Sequence, residues 1–202
     1  KINTMKTYKL LIISLFFSLT SKAQIQDATV RPLEKLTEAF AEENVTIEDG
    51  KYYKDVNIRL DYFIGVWEGS YSDKTLIIDN IKFNEKDVVA GINVDIIVAK
   101  YKVTTATGKV LVNTLNSEPM SDSHIKGSHF VDYEYTTYKS WYEGRQADCN
   151  QMGWVMMKKI NENSFKLWVD PSVEILPYGC PEGNLHILPT SEEDAVVMTK
   201  QN

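Results

Sequence analysis

Apolar residues along this chain recur mostly at every second position, the period of a strand with one face buried. Residues 75–83 alternate in this way, with Ile77, Ile81 and Phe83 on one face. Ile92, Val94, Ile96 and Val98 alternate next, and the apolar register then moves to Ala99, Tyr101 and Val103. A change of register inside one long strand predicts a bulge or bend, as barrels need. Thr107-Gly108 turns the chain into a strand at 110–115. Val131, Tyr133 and Tyr135 then face one way, and Asp132, Glu134 and Thr136 the other. Trp154, Met156 and Ile160 share a face, and Asn161-Glu162-Asn163 turns into Phe165, Leu167 and Val169. Residues 171–190 hold four of the six prolines, an irregular excursion before a last short strand at 195–199. Eight or nine strands with turn signals between them, and no long helix after residue 65, predict an all-β fold: an antiparallel sandwich or barrel.

The stretch before these strands reads differently. Residues 24–50 are acidic, and Pro32 is placed to open a short helix over 32–43 with Leu33, Leu36 and Phe40 on one face. Such a helix either docks a partner or, on the plainer reading, lies on its own domain or forms a loose tether. Glu48-Asp49-Gly50 is a turn signal that starts the strand region, 51–202.

Residues 1–23 form a third region. Lys6 and Lys9 follow Met5, an apolar run covers Leu10 to Phe17, and Ser21 and Ala23 stand at the −3 and −1 positions before Gln24. This is the pattern of a secretory signal peptide. The rival, a membrane anchor, needs about 20 apolar residues, and this run is much shorter. The expectation is a secreted or periplasmic protein with no transmembrane segment after cleavage.

Charge narrows the partners. The chain carries net −6, and residues 1–23 hold four lysines and no acid, so the remainder carries net −10. Nucleic acid and anionic lipid both demand a basic face, so neither is expected. Eleven Tyr, seven Phe and four Trp suit strands, where rings pack on a pleated surface. The two cysteines, Cys149 and Cys180, are read as a disulfide in an exported chain. In the chain-entropy view such a loop closure stabilises by roughly 3–4 kcal/mol. Free thiols and metal ligation are the alternatives, and two Cys without clustered His are too few ligands for structural zinc.

One motif points to a family. Residues 60–69, Leu-Asp-Tyr-Phe-Ile-Gly-Val-Trp-Glu-Gly, run a short helical turn directly into Gly-x-Trp. This resembles the opening of lipocalins and their calycin relatives. The resemblance implies an antiparallel lipocalin-like β-barrel of about eight or nine strands. In it Gly65 would allow close backbone approach and Trp67 would plug the base, with Tyr71 on the same face. It also implies a basic residue near the chain end stacked on that Trp. Lys200 is in place, although the family usually has Arg. The chain as a whole is similar to a family of uncharacterised exported proteins of Bacteroidota. That likeness rests on Ser21-Lys22-Ala23-Gln24, on Lys54-Asp55-Val56-Asn57 before Gly65-Val66-Trp67-Glu68-Gly69, and on Val196-Val197-Met198-Thr199-Lys200-Gln201. It implies fold and compartment and carries no activity.

Catalytic chemistry has little to stand on. Asp132 and Glu134 share a face, but on one strand they do not flank a substrate as a glycosidase pair does. His124, His129 and His186 lack metal-ligand spacing, and Ser128 beside His129 is adjacency, not a triad. No enzyme, metal or cofactor is expected. Two functional readings follow. In the first, the barrel binds a small apolar ligand lined by Trp67, Tyr71, Ile77, Phe83, Tyr133, Tyr135, Trp154 and Phe165. In the second, the barrel is filled and serves as a structural or interaction module of the cell envelope. The alternation does not decide which face points inward, and the chain is silent on oligomeric state.

Overall fold

The computed structural model describes residues 29–42, 46–87, 89–118, 125–144, 151–172 and 187–201. Three strands open the core sheet: β3 (Gly65–Tyr71), β4 (Lys74–Asp87) and β5 (Ile92–Thr105). Five more follow: β7 (Ile125–Phe130), β8 (Thr137–Glu143), β9 (Met152–Asn161), β10 (Ser164–Pro171) and β11 (Val196–Lys200). Each pairs antiparallel with the next in this order, and β11 returns to β3 through Thr199↔Glu68 and Lys200↔Trp67. The result is a closed, up-and-down, eight-stranded antiparallel barrel, in which no strand of the ring is left as an edge.

Three further strands lie outside the ring: β1 (Val30–Pro32), β2 (Tyr52–Lys54) and β6 (Val110–Asn113). β2 runs parallel to the start of β5, and β1 runs parallel to β2. The second edge of β5 is therefore divided: β2 holds Asn93 and Val94, β7 holds Val98 and Ala99, and β6 holds Lys102 to Thr104.

Helix α1 (Glu34–Ala41) lies on the outer wall of its own barrel. It is shorter than the pattern suggested because Pro32 belongs to β1, where Leu33 N–H donates to Lys54 O at 2.9 Å. Leu33 and Leu36 are buried against the wall, while Phe40 is 56% exposed yet stacks on His129 with ring centroids 4.1 Å apart. Glu34 accepts from Asn57 and Arg59, which ties the helix to the loop beneath β3.

The structure revises three expectations. The β4–β5 pairing is unbroken from Lys74↔Thr105 to Asp87↔Ile92, so the change of apolar register is not a bulge. Instead β5 is buried on both faces: Ile97, Ala99, Tyr101 and Val103 point inward, and Ile92, Val94 and Ile96 point out beneath α1. In β4 the inward residues are Leu76, Ile78 and Asn80; Ile77, Ile81 and Phe83 face outward. The segment after Phe130 is a tight turn and not a strand. The Asp132 carboxylate accepts from the backbone N–H of Thr136 and Thr137 at 2.8 and 2.7 Å, and Tyr135 takes φ +57°. Asp132 and Glu134 therefore never form a carboxylate pair on one strand face.

Candidate functional site

The base of the barrel is built by residues 55–67. The Asp55 carboxylate, its side chain buried, accepts from the N–H groups of Arg59 and Leu60 at 2.7 and 3.1 Å. Those bonds satisfy the opening of the 3-10 turn Leu60–Tyr62, whose first amides have no partner of their own. Lys82 bridges Asp55, at 2.8 Å, to Asp61. Burial works against the Lys82 charge, but these two carboxylates hold its pKa above the ordinary lysine value. Asp95, turned inward from β5, accepts from Tyr52 O–H at 2.7 Å and from Asp55 N–H at 3.0 Å. Burial, with the Asp95 carboxylate beside it, pushes the Tyr52 hydroxyl up to about 12.

Above this network sits Trp67, fully buried, its indole N–H donating to Phe63 O at 2.8 Å. Asn80 donates to the same carbonyl at 2.9 Å. Phe165 packs edge-on to Trp67 at 4.7 Å and to Phe63 at 5.7 Å. Lys200 Nζ stands 5.1 Å from the Trp67 ring centre, and its Cε passes 3.7 Å from where a Gly65 Cβ would be. Gly65 has φ +108°, a backbone conformation that strains any other residue.

The interior is filled. Leu76, Ile78, Ile97, Ala99, Val103, Tyr138, Val155, Met157, Leu167 and Met198 are each fully buried. Gly127 and Gly153 are buried as well. Where a strand turns a glycine inward, not even a methyl group fits. A Cβ on Gly69 would stand 2.5 Å from Val197 O and 2.6 Å from Val196 Cγ2; on Gly127 it would meet Ile97 O at 2.7 Å and the Tyr138 hydroxyl. Gly153 faces the Asp170 carbonyl in the same way.

The rim opposite the base is more open. Tyr71 O–H donates to Ile187 O, and Gln151 clasps Leu188 with two bonds, Nε2 to O at 2.8 Å and Oε1 from N–H at 3.0 Å. Between the β3–β4 turn and residues 188–195 lies a cleft of about 430 Å³. Its walls include Tyr71, Lys74, Leu188, Pro189, Thr190, Glu193 and Asp194. That volume falls within the range of small-molecule sites, roughly 300–1,000 Å³.

The residues expected to line a ligand cavity are scattered. Trp67 and Phe165 are inside, as parts of the packed base. Tyr71 reaches the rim cleft. Ile77 and Phe83 face outward from β4, for the parity reason given above. Tyr133, 53% exposed, donates its hydroxyl to Glu42 across to α1's end, and Tyr135 lies in the same turn under Arg59. Trp154 is on the outer wall, edge-on to Trp141 at 5.0 Å with Lys139 Nζ 4.2 Å above its ring. Cys149, Cys180, His124 and His186 lie outside the described residues. His129 Nδ1 is 2.8 Å from Ser128 Oγ, and burial, with Lys139 nearby, lowers its pKa to about 4. Among the described residues no group of three or more His, Cys, Asp or Glu is arranged to hold a metal, and no helix is long and apolar enough to cross a membrane.

Sequence reasoning missed the residues that make the cleft, Lys74, Thr190, Glu193 and Asp194. They are polar residues beside turns, with no periodic or motif signal to separate them from ordinary surface.

Comparison with known proteins bears on this geometry. Residues 5–174 match a family of unknown function, DUF6705. The chain belongs to the DUF6705 family. The match spans the Gly65-x-Trp67 base and the strands through β10. No curated protein and no solved structure matches this DUF6705 member.

Proposed function

We propose that this protein is an exported, filled-barrel recognition module that binds at its rim and outer wall and carries no apolar cargo inside. The observation behind this reading is the interior packing: Leu76, Ile78, Val103, Met157, Leu167 and Met198 are all fully buried. A lipocalin-like carrier needs interior volume, and here side chains occupy it. The rim cleft offers what the interior lacks: space, together with a lysine and two carboxylates in its lining. The module reading is non-enzymatic. Its Ser128–His129 contact joins chain neighbours, and the imidazole is stacked beneath Phe40.

Native mass spectrometry of the protein isolated from its host tests the reading. The expected mass is that of the bare polypeptide, and no apolar fluorophore is expected to bind saturably. A stoichiometric lipid or other apolar mass, released by organic extraction, overturns it. The same sample tests export: the expected amino terminus is Gln24, and an intact terminus on the cytoplasmic form would refute cleavage.

The Cys149–Cys180 disulfide belongs to the same proposal. The loop bearing Cys149 leaves the rim at Gly144 and returns at Gln151, closed by Gly144 N–H to Gln151 O at 2.8 Å. The excursion bearing Cys180 leaves at Ser172, bonded to Met152 O, and returns at Leu188, bonded to Gln151. Both loops thus spring from adjoining points of the rim. Non-reducing peptide mapping is expected to recover the two cysteines in one linked peptide; recovery of both as free thiols excludes the bond.

A further inference from the structure

The geometry points to a second binding site, outside the barrel, for a small neutral apolar molecule such as a single aromatic ring or a short alkyl chain. It lies between α1 and the outer wall, where a cavity of about 180 Å³ remains. The floor is the outward row of β5, Ile92, Val94 and Ile96; Leu36 and Phe40, one helical turn apart, form the roof, and Ile47 and Ala90 close the side. Its floor and roof are aliphatic and aromatic, and Glu85, Asp87, Lys126 and Ser128 complete the lining. Its volume is close to that of cavities, on the order of 150 Å³, that take up benzene-sized guests.

Size and charge define the occupant. The volume is too small for a peptide helix or strand, which excludes a protein partner from the cavity itself. The polar groups of its lining are already engaged. Glu85 is paired with Lys126, the Asp87 carboxylate accepts from Val89 and Ala90 N–H at 2.9 and 3.0 Å, and Ser128 Oγ is bonded to His129. A charged ligand would have to break one of these contacts, whereas a neutral apolar one gains the burial without doing so. Phe40, more than half exposed, is the side chain whose rotation admits a guest.

Titration of the full chain with toluene, followed by the ¹³C-methyl signals of Leu, Ile and Val, tests this. Saturable shifts are expected at Leu36, Ile92, Val94 and Ile96. Val94→Phe fills the cavity and is expected to weaken binding by about tenfold or more, equivalent to roughly 1.4 kcal/mol. Ala90→Leu does the same from the loop side and serves if Val94→Phe fails to fold. The absence of saturable shifts at the four residues overturns the inference, as do shifts there that survive both cavity-filling variants. Shifts centred instead on Leu76, Ile78 and Leu167 would overturn it and the filled-barrel reading together, which distinguishes the two failures.

Discussion

At the base of the barrel, residues 55–67 supply a fully buried indole, a buried carboxylate and a capped 3-10 turn, and Lys200 closes over them. At the rim, Tyr71 clasps Ile187 and Gln151 clasps Leu188, and a cleft of about 430 Å³ is left between the β3–β4 turn and residues 188–195. The base gathers distant partners around one short stretch of sequence, and the rim cleft is assembled from segments far apart in the chain. Each end's work follows from its construction. A base with interlocked partners fixes the fold, and a rim with few obligations is free to vary for recognition.

Substitutions should separate the ends by size of effect. Trp67→Ala removes the plug and leaves a cavity; a loss of roughly 3–5 kcal/mol is expected in urea unfolding, enough to leave much of the chain unfolded. Asp55→Ala strips two backbone amides and Lys82 of their acceptor, with an expected cost of about 2–3 kcal/mol. A loss under about 0.5 kcal/mol for either would break the contrast between the ends.

His129, on the wall between the two ends, tests whether burial there is as deep. Its folded pKa is lowered from 6.5 to about 4, so the folded state resists protonation. Above pH 6.5 neither state holds the proton and stability is undiminished. Between pH 6.5 and 4 the unfolded chain takes a proton that the folded one refuses, and stability falls by about 1–2 kcal/mol once solvent screening is allowed for. Below pH 4 this group adds no further slope. Chemical denaturation at pH 7 and 5 should show a smaller drop for His129→Gln than for the parent; equal drops would assign the slope elsewhere.

At the rim, Tyr71→Phe removes one hydrogen bond and should cost about 1 kcal/mol. The Lys200→Ala change removes a cation–π contact at an exposed lysine and should cost about 0.5–1 kcal/mol. Thermal unfolding resolves both, and a Tyr71→Phe cost matching that of Trp67→Ala would erase the distinction between rim and base.

Much of this architecture was legible in the residue pattern. Strands β3 to β6 and β9 to β11, the Gly65-x-Trp67 base and a helix read at 32–43 and found at 34–41 follow from periodicity, turn residues and one motif, whereas β1, β2, β7 and β8 were not read. The inward face was not legible, for two physical reasons. β5 is apolar on both faces because α1 lies over its outer row, Ile92, Val94 and Ile96. The inward face of β4 continues into Asn80, Lys82 and Asn84, polar residues whose nitrogens donate to the base. Alternation therefore favoured the wrong set, Ile77 and Phe83. Tyr133 and Tyr135 misled for another reason. The Asp132 carboxylate captures the following amides and folds a β-rich stretch into a turn. The cleft residues carry no local signal, since only the closure of the barrel brings 71–74 beside 188–195.

The divided edge of β5 has a kinetic consequence. Strands β3 to β5 form one curved sheet joined by local hairpins, and β7 to β10 form another. Only Val98↔Lys126 and Ala99↔Ile125 join them along one side, with β11 bridging the other. The molecule is thus two half-shells clasped along two narrow seams. Each half can zip from its own hairpins, and the ring closes last, so the earliest breathing motion of the native state should begin at the two-residue clasp between β5 and β7.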